Sequence, residues 1–88
     1  MSEGRELTVM SREWCHLCHE LIEKLLPLAA ELGWSVRVLD VDDDRSLEER
    51  WDEWVPVVLA GDTELCHYYL DESAVRAYCG RFPLESAA

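Results

Sequence analysis

Cys15-His16-Leu17-Cys18 places two thiols two residues apart. A β-type run, Leu7-Thr8-Val9-Met10, comes just before them and an amphipathic helical pattern just after. The spacing predicts that the first thiol lies at a helix N-terminus. Backbone N–H groups and the helix macrodipole there favour a thiolate, the form that attacks disulfides. The second thiol falls about one turn into the helix, close enough to close a small disulfide ring. The chemistry this implies is dithiol–disulfide cycling.

Two other chemistries share these residues. Cys15-His16-Leu17-Cys18-His19 matches the c-type haem attachment pattern. Haem attachment belongs to exported chains and needs an apolar pocket, and the flanks here are sheet-forming. Zinc could draw on Cys15, Cys18, His16 and His19, with Cys66-His67 as a further pair. A second Cys-x-x-Cys or His-x-x-His pair at finger spacing is absent, so no metal ligand is assigned. Cys66 and Cys79 read as small apolar core residues, and His67 as a surface strand residue.

The chain has 88 residues, enough for one small domain (1–88, core 7–80), and 49% of them are apolar. Its net charge is −11, from 19 acids against 8 bases. That balance opposes nucleic acid, whose binders carry basic patches, and anionic membrane surfaces. No apolar run approaches the ~20 residues of a membrane span. Met1 to Glu6 is polar and acidic, which predicts no signal peptide and a cytoplasmic, reducing location. Cysteines in that setting read as catalytic or metal-binding before they read as structural disulfides. A monomer is expected.

Elements follow from the patterning. Leu7–Met10 is a first strand, with a turn through Ser11–Trp14. Cys18, Leu21, Ile22, Leu25, Leu28, Ala29 and Leu32 mark one helix face, with a bend expected at Pro27 and a stop at Gly33. Ser35–Val41 is a second strand. Asp42-Asp43-Asp44 is a loop rich in cap candidates. Ser46-Leu47-Glu48-Glu49 fits a capping box for a short helix reaching about Trp54. Val55–Ala60 is a third strand, Gly61-Asp62 a turn and Glu64–Tyr69 a fourth strand. Asp71 caps a last helix carrying Ala74, Val75, Tyr78 and Cys79 on one face, with Gly80 ending it. Trp51 and Trp54 are expected in core and groove-edge packing, and Trp34 at the turn into the second strand. The tail from Pro83 to Ala88 is expected to fray.

The order β-α-β-α-β-β-α predicts an α/β fold. It is a four-stranded mixed sheet flanked by three helices, the first strands parallel and the last two antiparallel. A Cys-x-x-Cys at such a β-α junction reads as a thioredoxin-like redox motif. The order resembles the minimal thioredoxin fold found in glutaredoxins. Ser11-Arg12-Glu13-Trp14-Cys15-His16-Leu17-Cys18 is similar to the glutaredoxin active-site stretch, with a basic residue three positions before the first cysteine. Trp14 directly before Cys15 is also similar to thioredoxin. Val55-Pro56, roughly 40 residues beyond Cys15, resembles the cis-proline loop of the superfamily. The chain looks closest to small bacterial glutaredoxin-like proteins.

The resemblance implies a thiol–disulfide oxidoreductase with catalytic Cys15 as nucleophile and Cys18 as the resolving thiol. It implies a substrate groove shaped by a cis Pro56, with the Val55 backbone offering strand-like hydrogen bonds. It places Arg12 near the thiolate, facing a glutathione carboxylate, and Trp14 and Asp71 at the substrate site. No resident cofactor is implied. The partners are protein or low-molecular-weight disulfides, with glutathione as a candidate co-substrate. The sequence departs from the family at His16-Leu17, which stands where common glutaredoxins have Pro-Tyr. It departs again at Cys66-His67-Tyr68-Tyr69-Leu70-Asp71, which lacks the Gly-Gly pair that lets glutathione approach the backbone. Glutathione is therefore expected to be a poor ligand. The alternatives are a zinc-binding or redox-sensing module using the same cysteines, and a non-catalytic adaptor.

Overall fold

The computed structural model describes residues 5–81. The expectations for Met1–Gly4 and for the tail from Pro83 lie outside the described residues. Four strands, β1 (Glu6–Ser11), β2 (Ser35–Asp40), β3 (Val57–Ala60) and β4 (Thr63–His67), form one sheet in the order β2-β1-β3-β4. β1 pairs with β2 in parallel, from Glu6↔Ser35 to Ser11↔Asp40. β3 runs antiparallel to both β1 and β4. The helices are α1 (His16–Leu32), α2 (Arg45–Trp51) and α3 (Glu72–Cys79). This is the minimal thioredoxin fold.

Alternation along the two central strands divides the core. Leu7 and Val9 of β1 and Val58 and Ala60 of β3 pack with Leu21, Leu25, Leu28 and Ala29 of α1 and Val75 and Cys79 of α3. Met10, Val57 and Leu59 face the other way, onto Val41, Leu47 and Trp51. Thus α1 and α3 cover one face of the sheet and α2 the other. All four residues of β3 are buried, as expected of a central strand covered on both faces.

Several boundaries differ from the sequence expectation. α1 begins at His16, because Cys15 itself is the N-cap. It runs on through Pro27, whose missing N–H removes one helical bond without ending the helix. Gly33 stops it at φ 81°, with Gly33 N–H bonded to Ala30 and Trp34 N–H to Ala29, the left-handed cap that glycine adopts freely. Val41 belongs to a 3-10 turn, Val41–Asp43, instead of β2. α2 is capped by Asp44, whose carboxylate takes both the Ser46 N–H at 2.8 Å and the Ser46 hydroxyl at 2.7 Å. Ser46 is therefore inside the helix, and the expected capping box is displaced by the better acceptor two residues earlier. α2 ends at Trp51, and Trp54 sits in a following turn, its N–H on the Trp51 carbonyl. β3 starts two residues after Val55, and β4 stops at His67, where Tyr68 turns to φ 67°.

Candidate active site

Cys15 and Cys18 form a disulfide with their Cα atoms 5.2 Å apart. The Cys15 residue is extended (φ −100°, ψ 112°), and its Sγ accepts the Cys18 N–H at 3.1 Å. The Cys15 N–H is bonded to the Arg12 carbonyl at 3.1 Å, and its carbonyl takes the His19 N–H at 3.2 Å. The loop is thus fixed on both sides of the sulfur. Solvent reaches the pair unequally: Cys18 is fully buried, while Cys15 is half-buried. A half-buried sulfur at a helix N-cap that accepts a backbone N–H is placed to favour a thiolate over a fully buried one.

The Arg12 side chain is paired with two aspartates. Its Nε lies 3.1 and 3.2 Å from the two Asp42 oxygens, its Nη2 lies 3.0 Å from Asp42, and Nη2 also pairs with Asp52. The side chain is 11% exposed. Hydrogen bonds donated to Asp52 first, then to Asp42, hold the guanidinium above its ordinary value. Arg12 also lies over the Trp14 ring, 5.1 Å from its centroid, and that indole is 74% exposed. Sequence pattern names Arg12 but not its partners, which are 30 and 40 residues away and reach it only through the fold.

The Val55–Pro56 peptide bond is cis. Pro56 is buried and Val55 half-buried. The Pro56 carbonyl takes the Tyr68 N–H at 2.7 Å, and the Tyr68 hydroxyl donates to the Glu53 carbonyl at 2.8 Å. Tyr68 thereby grips the Val55–Pro56 segment on both sides. Its φ of 67° is one that a bulky residue rarely adopts. The ring stacks on Trp54, centroids 6.2 Å apart, with His67 edge-on to both. Tyr68 thus holds a left-handed backbone conformation that glycine adopts freely. Nothing in the local sequence announces this.

Asp71 is exposed and caps α3, its carboxylate accepting the Ala74 N–H at 3.0 Å, while its own N–H points to Cys66 Sγ at 3.4 Å. Burial pushes the Cys66 and Cys79 thiols up from their ordinary value; Cys79 is a core residue and Cys66 packs against that core half-buried. His16 faces Glu20 at 3.4 Å and His67 faces Glu64 at 2.6 Å. Among the described residues no three His, Cys, Asp or Glu side chains are grouped to hold a metal ion. No helix of the described residues is long and apolar enough to cross a membrane.

A groove of about 490 Å³ begins at Leu17, inside the Cys-x-x-Cys loop, and runs between α1 and α3. Leu21 and Leu28 contribute apolar surface, Tyr68, Tyr69 and Leu70 form one wall, and Glu20, Glu31, Glu72, Lys24 and Arg76 supply the charges. Arg76 is held by Glu31 at 2.8 and 3.2 Å and by Glu72 at 2.8 Å.

Fold and dithiol together define a thioredoxin-fold protein with a Cys-x-x-Cys site at the N-terminus of its first helix. Residues 6–79 match the family described as Glutaredoxin-like domain (DUF836), and the chain belongs to that family. It is similar to an uncharacterised protein of Mycobacterium tuberculosis, 30% identical over 81 residues, covering 86% of this chain and 84% of that one. The solution structure of a Nitrosomonas europaea protein is 39% identical, covers 89% of this chain and 94% of its own, and superposes with a TM-score of 0.76. An X. campestris crystal structure is 29% identical, covers 88% and 99%, and gives 0.66. Thioredoxin 1 of Thermosipho africanus, 16% identical over 86% of this chain and 96% of that one, shares the fold at 0.61.

Proposed function

We propose that this chain is a thiol–disulfide oxidoreductase. One observation carries the reading: the approachable Cys15 sulfur caps α1 and receives the Cys18 N–H at 3.1 Å, with Cys18 buried behind it. In the reduced protein the Cys15 thiolate attacks one sulfur of a substrate disulfide and displaces the other as a thiolate. Cys18 then gives up its proton and attacks Cys15 Sγ, releasing the second substrate thiolate. Two electrons have moved, and the Cys15–Cys18 disulfide remains. A dithiol or two monothiols from a reducing cytoplasm restore the start.

In this reading Val55 offers its backbone to the bound substrate, and Pro56 shapes the groove beside the dithiol. Trp14 flanks the entering disulfide, and Asp71 stands at the head of α3 to meet an ammonium. Glutathione is a poor substrate, because Arg12 is committed to Asp42 and Asp52 and because bulky His67, Tyr68 and Tyr69 stand in the segment that lacks the glycine pair. Insulin reduction tests the main claim: a Cys15→Ser variant should lose all of it. Undiminished reduction by that variant would remove Cys15 from the mechanism.

A further inference from the structure

Four large aromatic side chains among the described residues are exposed, and each adjoins a residue of the proposed site in sequence, by contact or through the groove. Trp14 is 74% exposed and precedes Cys15; Trp54 is 46% exposed and precedes Val55; Tyr68 and Tyr69, at 36% and 69%, follow β4. Trp54, Tyr68 and Tyr69 form one group, and Trp14 stands beside Cys15. Trp54 stacks on Tyr68, Tyr68 is bonded to Pro56, and Tyr68 and Tyr69 share the groove that opens at Leu17. A folded chain rarely gathers exposed aromatics in one place without a partner for them. Tyr68 also holds its position against an unfavourable backbone conformation, which is characteristic of functional surfaces.

The charges beside these rings are acidic. Glu13 adjoins Trp14, Glu53 adjoins Trp54, and Asp71 and Glu72 follow Tyr69 and Leu70; all four are exposed. Nearby cations already face acids: Arg12 on Asp42 and Asp52, Arg76 on Glu31 and Glu72, His16 on Glu20 and His67 on Glu64. Lys24 is a further base on the groove. Exposed indole and phenol rings with carboxylates next to them in sequence suit a lysine or arginine side chain, and Arg12 already lies over the Trp14 ring in this way. The rings take its stem and offer their faces to its charge, and the carboxylates take its head.

We infer that this aromatic–acidic rim is a docking surface for a polypeptide disulfide whose cysteine is flanked by a basic residue. The inference rests on the oxidoreductase reading and names the substrate class for it. The chemical step is the exchange already described. The rim selects which disulfide is presented to Cys15.

Competition trapping tests it. A Cys18→Ser variant is offered equal amounts of two short peptides, each with its cysteine activated as a thionitrobenzoate mixed disulfide. One carries Arg beside the cysteine and the other Glu. Attack by Cys15 on the peptide sulfur releases thionitrobenzoate, coloured, and leaves a peptide adduct counted by mass spectrometry. We expect an early adduct ratio of about 10 to 1 for the Arg peptide at low salt, shrinking toward 1 in about 1 M salt. Adding Glu13→Lys and Glu53→Lys, both on exposed side chains, should bring the low-salt ratio to 1 or reverse it. Trp14→Ala should reduce it. Equal adducts at low salt, or a ratio that ignores both the salt and the lysine substitutions, would overturn the inference while leaving Cys15 a working nucleophile. No adduct with either peptide would defeat the oxidoreductase reading itself, and the inference with it.

Discussion

Arg12 and Asp42 meet in a two-point contact, Nε 3.1 and 3.2 Å from the carboxylate oxygens and Nη2 3.0 Å from one of them. With Asp52 as second partner, the guanidinium ties the loop before Cys15 to the turn after β2 and to the end of α2. Its charge is compensated within the fold and is not held out to an anionic substrate. Arg12→Ala should therefore change turnover of a glutathione mixed disulfide by less than about twofold. Asp42→Asn with Asp52→Asn should raise kcat/KM for that substrate by about tenfold, because a freed guanidinium then faces solvent near Cys15. A large loss in Arg12→Ala would show that Arg12 serves glutathione despite its aspartates.

The four cysteines should alkylate in a fixed order after reduction. Iodoacetamide at pH 6–7 should label Cys15 first, since its sulfur is approachable and accepts a backbone N–H. Cys66 and Cys79, whose thiols burial pushes up, and the buried Cys18 should lag by at least tenfold. Peptide mapping of a time course gives the order, and simultaneous labelling of all four would sink it.

The features that local pattern carries were legible in the sequence: the Cys-x-x-Cys junction, the α1 face from Cys18 to Leu32, and the Asp71 cap. Each depends on residues within a turn or two of one another. What escaped it depends on competition or distance. Asp44 and Ser46 both suit an N-cap, and only the placement of the preceding turn decides between them. The Arg12 partners lie far along the chain. Tyr68 defies its own propensity, because three contacts with the 53–56 segment and Trp54 outweigh it.

Those contacts make Tyr68 a stability test as well. Tyr68→Phe keeps the ring on Trp54 and the N–H on Pro56 but loses the bond to the Glu53 carbonyl. It should cost about 0.5–1.5 kcal/mol in denaturant unfolding. No measurable change would mean that water replaces the phenol at Glu53 without loss.

Pro27 stands exposed in the interior of α1. Pro27→Ala supplies the missing N–H to the Glu23 carbonyl and removes the ring from a helical position. It should stabilise the protein by about 1–3 kcal/mol, read as a higher midpoint in urea. A lower midpoint would show that the groove wall formed by Pro27 is packed around the proline ring.

Acid should weaken the fold partly through α2. Hydrogen bonds from the Ser46 side chain and then its backbone hold the Asp44 carboxyl below its ordinary value. A carboxyl lowered in the folded state stabilises that state above its unfolded pKa, and the contribution is lost as pH falls through the folded value. Asp44→Ala should therefore lower Tm at pH 7, and its difference from the wild type should narrow as pH falls below the ordinary aspartate value of about 3.9. Parallel Tm curves down to pH 2 would contradict this.

One atom has two duties. The sulfur that closes α1 at its first residue is the sulfur assigned to disulfide exchange, so every change in its bonding acts on the helix end as well. Thiolate, mixed disulfide and internal disulfide are acceptors of different strength for the Cys18 N–H. The first turn should therefore fray to a different extent in each, and its amide hydrogens should exchange at different rates. If Cys15 cycles as proposed, the backbone of that turn reports the redox state without any attached label.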